Sequence, residues 1–168
     1  MSPFGWISYD TARARFETTR EFFCVMNGEA GDGTVVPDFV LHVGPGVDGP
    51  SIRAQFFTPG GAVYRTIDYK SVDGRLFKWI VRERSYPNMT SRYTLSQATT
   101  VVEGTFEPDG HASVKFNDKS QPTVQLRELN DVPVASHWMP IPAFGDWDSL
   151  TDPHLGVLAY ELFIRPDA

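Results

Sequence analysis

From Val35 onward, apolar and polar residues alternate with a period of two between short turn signals, and nothing else in the chain constrains its fold as strongly. Residues two apart share a face only in an extended strand, so a segment that keeps this period builds sheet. Strands are expected at 35–43, 51–57, 62–70, 75–84, 98–107, 111–118, 122–129 and 156–165. Thr58-Pro59-Gly60-Gly61, Ser71-Val72-Asp73-Gly74 and Pro108-Asp109-Gly110 join neighbouring strands closely enough for hairpins. No helical segments of crossover length lie between them, which argues against a parallel βαβ sheet. The expected fold is mainly β, an antiparallel up-and-down β-barrel of about eight strands, with 1–168 as a single domain. A sandwich is the main alternative.

Two segments depart from this rhythm. Ala12, Phe16, Thr19, Phe23 and Met26 recur at helical spacing, which predicts a short N-terminal helix over Asp10 to Met26 with Asp10 as its cap. A long bent strand competes, because Thr18 and Thr19 weaken a helix. Residues 130–155 carry four prolines beside Trp138, Phe144 and Trp147. So much aromatic surface has to pack somewhere, and a barrel end is the expected place.

Gly5-Trp6 near the start and Arg165 near the end resemble the calycin superfamily, which includes the lipocalins. There an early Trp, usually within Gly-x-Trp, packs against a late Arg across the barrel base. In this chain Gly5 and Trp6 are adjacent, without the intervening residue. The resemblance implies a barrel with a central cavity and a small hydrophobic ligand.

Charge and motifs narrow the function. The net charge is −6 and no Lys/Arg run appears, so neither nucleic acid nor an anionic membrane is an expected partner. The apolar stretches are too short to span a bilayer, and Met1 to Trp6 lacks the basic start and apolar run of a signal peptide; the expected location is cytoplasmic. Cys24 is the single cysteine, which excludes an internal disulfide, and within Phe-Phe-Cys-Val-Met it reads as buried core. Gly44-Pro45-Gly46-Val47-Asp48-Gly49 fits G-x-G-x-x-G, but Pro50 and a strand follow where a phosphate site needs a helix, so it reads as a turn. His42, His111, His137 and His154 are far apart, so no metal and no other cofactor is expected.

Hairpin geometry then sorts the faces. Tight turns at 59–60 and 71–74 put Ser51, Arg53, Gln55, Phe57, Tyr64, Thr66, Asp68, Phe77, Trp79, Val81 and Glu83 on one face. The other face carries Ile52, Ala54, Phe56, Val63, Arg65, Ile67, Tyr69, Leu76, Lys78, Ile80 and Arg82. The second is richer in aliphatics but holds three cations and no carboxylate, and unpaired cations belong in water. The first is therefore expected to line the interior. On it, Asp68 and Glu83 are the candidate catalytic acids and bases, with Arg53 as counter-charge. Arg53, Tyr64, Phe77 and Trp79 are the candidate ligand-binding residues. A salt-bridged network with only a structural role is the competing interpretation. Three functions remain open: a cofactor-independent isomerase, cyclase or lyase on an enclosed apolar or aromatic substrate; a non-catalytic carrier of a hydrophobic ligand; and an interaction module using 130–155.

Overall fold

The computed structural model describes residues 7–18, 21–27 and 36–155. Helix α1 (Tyr9–Thr18) leads into strands β1 (Phe23–Met26), β2 (Phe39–Pro45), β3 (Pro50–Phe57), β4 (Val63–Val72) and β5 (Arg75–Ser85). Strands β6 (Thr100–Phe106), β7 (Ala112–Asp118), β8 (Gln125–Leu129) and β9 (Trp138–Pro140) follow, then the single turn α2 (Asp148–Thr151). Strands β1 to β8 pair in chain order, every pair antiparallel, so the mainly β, antiparallel expectation holds. Among the described residues the sheet is open, with β1 and β8 at its edges. The strand expected at 156–165, and both Trp6 and Arg165, lie outside the described residues.

The helix is shorter than its periodicity suggests. It stops at Thr18, and Phe23–Met26 pairs with β2 instead, because β-branched Thr18 and Thr19 and the apolar run after them favour extended backbone. Ser8, not Asp10, serves its N-terminus: the Ser8 hydroxyl accepts the Thr11 N–H at 3.2 Å.

The turns follow their local chemistry. Asp73 and Gly74, at φ 50° and 73°, make the two-residue turn between Val72 and Arg75. Asp-Gly suits that left-handed geometry. At 108–110 the Glu107 N–H meets the His111 carbonyl, with Gly110 at φ 90°. The register that follows pairs Phe106 with Ala112, Gly104 with Val114 and Val102 with Phe116, as the turn spacing requires. The Gly44–Gly49 segment is a turn, closed by Gly46 N–H to the Gly49 carbonyl at 2.8 Å.

Two bulges decide everything about the faces. Phe56 pairs with Arg65 and Phe57 with Val63, leaving Tyr64 as an extra residue. Tyr69 pairs with Lys78 and Asp68 with Ile80, leaving Trp79 as an extra residue. Each bulge re-aims the strand beyond it. The core face carries Phe23, Leu41, Val43, Ile52, Ala54, Phe56, Ile67, Tyr69, Leu76 and Val81, all buried. Over it lie α1 and the aromatic connection. Phe16 packs against Phe23, Phe144 and Trp147 with ring centroids 5.4–6.4 Å apart. The 130–155 aromatics thus close on the helix and β1, within the same hydrophobic cluster.

Candidate functional site

The expected assignment of faces is overturned at its centre. Arg53 is half-exposed, while Ile52, Ala54 and Phe56 are buried. The interior therefore belongs to the face with the cations. The hairpin parities hold from Arg65 to Lys78, but the extra residue at Tyr64 brings Val63 opposite Phe57, and the extra residue at Trp79 moves Glu83 from the Asp68 face to the Arg65 face. Asp68 and Glu83 are consequently not a pair.

The outer face is a charge ladder. Arg53 Nε reaches Asp68 Oδ1 at 2.6 Å, and Arg82 Nη1 reaches Asp68 Oδ2 at 2.7 Å. Arg82 Nε then donates to Glu103, and Lys115 Nζ lies 3.9 Å from the same carboxylate. Asp68 is buried beneath two arginines, which supply the hydrogen bonds its carboxylate would otherwise take from water. Arg53 is the counter-charge to Asp68 that the sequence suggests, but on the solvent side.

The remaining candidates separate. Phe77 is buried against Trp138, with ring centroids 4.7 Å apart, and Trp79 sits under the Lys70 ammonium at 5.1 Å. Tyr64 and Glu83 do come together. They line a cavity of about 510 Å³ with Arg65, Val102, Phe116, His154, Arg84, Ser85 and Thr100. Its walls come from the starts of β4 and β6, the ends of β5 and β7, and the segment after α2. This is the size range of small-molecule sites.

Arg65 is the unusual member. It is 3% exposed, and its closest carboxylate oxygen, Glu83 Oε1, is 3.7 Å from Nε, too far for a hydrogen bond. Among the described residues neither Nε nor Nη2 has a hydrogen-bond partner. Burial lowers the guanidinium pKa, partly offset by Glu83, but an Arg stays protonated, so a buried cation with unfilled donors stands at the cavity. Tyr64 is also partly desolvated, and its phenol pKa is raised.

Deeper on the core face, Lys78 is fully buried and its Nζ donates to the Leu155 carbonyl at 2.9 Å. Burial, and then Arg65, push its pKa down to about 8. Tyr69, opposite Lys78, is buried, among the described residues its hydroxyl has no hydrogen-bond partner, and burial raises its pKa. His137 is fully buried between Phe77 and Phe106; its Nδ1–H donates to the Lys78 carbonyl at 2.8 Å, and Nε2 has no partner among the described residues. Desolvation and Lys78 push its pKa down to about 4.

No protein family, curated sequence or solved structure matches this chain. Among the described residues no group of three or more His, Cys, Asp or Glu is arranged to hold a metal ion, and no helix is long and apolar enough to cross a membrane.

The depressed His137 pKa has a measurable consequence. As pH falls below 6.5 the unfolded chain takes this proton first, so folding weakens until about pH 4. Roughly 2 kcal/mol should be lost between pH 7 and 4.5 through this group. His137→Phe, whose ring suits the Phe77–Phe106 slot, should remove that part of the slope in urea titrations; an unchanged slope would show that His137 is already protonated in the fold.

Arg65, Tyr69, Lys78, His137 and His154 were not singled out by sequence. The signal was present in the aliphatic run Ile52, Ala54, Phe56 and Ile67 sharing a face with Arg65 and Lys78. The cost of burying a cation pointed the other way.

Proposed function

We propose that the protein binds a small molecule with an apolar or aromatic body and an anionic oxygen group, held at the Arg65 cavity. The carrying observation is Arg65: a buried guanidinium with two unfilled nitrogens lining a cavity whose other walls include Tyr64, Val102 and Phe116. An oxyanion fits a guanidinium fork, and the charge on both partners strengthens that contact. The apolar walls take up the body of the ligand. Closure of the sheet into a calycin-like barrel belongs to the same proposal, supported by the physical cost of leaving β1 and β8 as free edges.

Two probes of similar shape test this reading. Anilinonaphthalene sulfonate carries an anionic group and N-phenylnaphthylamine does not. The anionic probe should bind at least about tenfold more tightly, as a charge-assisted hydrogen bond implies. Arg65→Met should abolish that difference while leaving the neutral probe bound. Equal affinities in the parent protein, or a preference unaffected by Arg65→Met, would remove the site.

Acid–base turnover, as in an isomerase, cyclase or lyase without a cofactor, is the second reading. It is favoured by Glu83 and His154 sharing the cavity with Arg65. In that use Glu83→Gln keeps binding and loses conversion of the bound molecule. In a carrier no conversion occurs in either form.

A further inference from the structure

Cys24 is exposed, not the core residue its apolar neighbours suggested. The register places it directly opposite His42, and His42 opposite Arg53, on the outer face of β1, β2 and β3. Cys24 Sγ lies 3.3 Å from His42 Nδ1, and His42 Nε2 lies 2.8 Å from Gln55 Oε1. The amide oxygen needs a donor, so Nε2 carries the proton and Nδ1 presents its lone pair to the thiol. A nucleophile, a base and a group orienting the base thus stand in line. The contact to Cys24 raises the His42 pKa, against the opposing effects of burial and Arg53, which makes the imidazole a better acceptor for the thiol proton.

The electrostatics of this patch are simple. Among β1, β2 and β3 the titratable side chains are Cys24, His42 and Arg53 only. Arg53 shares Asp68 with Arg82, and Arg84 has the neutral Thr66 hydroxyl as its partner at 3.2 Å. Arg53, opposite His42 in the register, is the charged side chain that these three strands bring nearest the thiol. The site lies on the opposite face of the sheet from the Arg65 cavity and does not depend on it.

We propose that Cys24 is a reactive thiol, activated by His42 and oriented through Gln55, that exchanges with low-molecular-weight disulfides bearing carboxylates. Cys24 gives its proton to His42 Nδ1, and the thiolate attacks one sulfur of the disulfide. A new Sγ–S bond forms as the S–S bond breaks. The departing thiolate takes the proton from His42 and leaves as a thiol. The Cys24 sulfur is oxidised and the leaving sulfur reduced, so the disulfide itself is the oxidant.

Intact-mass measurement of adduct formation tests this, with oxidised glutathione as the anionic disulfide and cystamine as the cationic one. Cys24 is the single cysteine, so every adduct reports it. At pH 7 the rate with oxidised glutathione should exceed that of N-acetylcysteine by about tenfold or more, and His42→Leu should return it to the reference. The parent protein's own excess over N-acetylcysteine needs no variant to read. Oxidised glutathione should also react faster than cystamine. A rate matching N-acetylcysteine would overturn the activation, and faster reaction with cystamine would overturn the choice of anionic disulfides.

Discussion

Raising the pH from 7 to 9.5 should stabilise this protein by roughly 2 kcal/mol, and Lys78→Met should remove the effect. The cause is the position of one ammonium. Lys78 is fully buried, with a carbonyl as its hydrogen-bond partner, and its pKa falls from 10.5 to about 8. Between those values the unfolded chain holds a proton that the folded chain has released. Folding therefore gains as the pH rises, and the gain is complete once the unfolded lysine also titrates. Above pH 10 the tyrosines oppose it: Tyr64, Tyr69 and Tyr86 all have raised pKa values, so the unfolded chain ionises first there. The window to measure is thus pH 7 to 9.5, by urea unfolding. At pH 7 the methionine variant should be more stable than the parent by about 2 kcal/mol, because an apolar chain of similar length replaces a buried charge. The orphaned Leu155 carbonyl offsets about 1 kcal/mol of the gross gain. A flat profile in the parent, or a less stable variant at pH 7, would show that water or a counter-charge reaches Nζ.

Glu83→Leu should cost about 3 kcal/mol, lowering the melting temperature by roughly 6–12 °C. The Glu83 carboxylate is the nearest negative charge to the buried Arg65 guanidinium, at 3.7 Å, and is itself about one-quarter exposed. Removing it leaves a cation 3% exposed with only the weaker influence of Asp152 to offset its burial. The double variant Arg65→Met, Glu83→Leu should recover most of the loss, since neither charge then remains to be desolvated. The coupling in that double-mutant cycle isolates the pair from the lost packing of either side chain. If the double variant is as unstable as the single one, Glu83 acts through its packing and not through Arg65.

Much of this architecture was legible because it rests on local rules. Asp73-Gly74 and Pro108-Asp109-Gly110 dictated their turns, and with them the pairing of Phe106, Gly104 and Val102 across β6 and β7. The Arg53–Asp68 contact followed from the same parity. The candidate site was lost in two ways: the outer face of β3 and β4 was taken as interior, and Trp79 broke the parity of β5. Trp79 is an extra residue in β5, and no local rule marks it, since an aromatic in a strand interior is ordinary. Beyond it every side chain exchanges faces, and Glu83 arrives beside Arg65 instead of Asp68. Charge reasoning then reinforced the error. A sheet with Arg65 and Lys78 inside breaks the usual sorting of polar from apolar, and such breaks concentrate where ligands bind. Cys24 was misread for a related reason: its neighbours are apolar, but β1 is an edge strand and shows every second residue to solvent.

The bulge at Trp79 also divides one edge of β5 between two partners. Ile80–Ser85 pairs with β6, which follows closely in the chain, whereas Arg75–Phe77 pairs with β9, roughly sixty residues further on. During synthesis the first half of that edge is covered almost as soon as it emerges. The other half, with Phe77 upon it, stays open until Trp138–Pro140 has left the ribosome. Strand β9 is therefore the seal on an adhesive backbone edge. Any shortened form ending before Trp138 keeps a nearly whole sheet and a permanent template for unwanted strand addition.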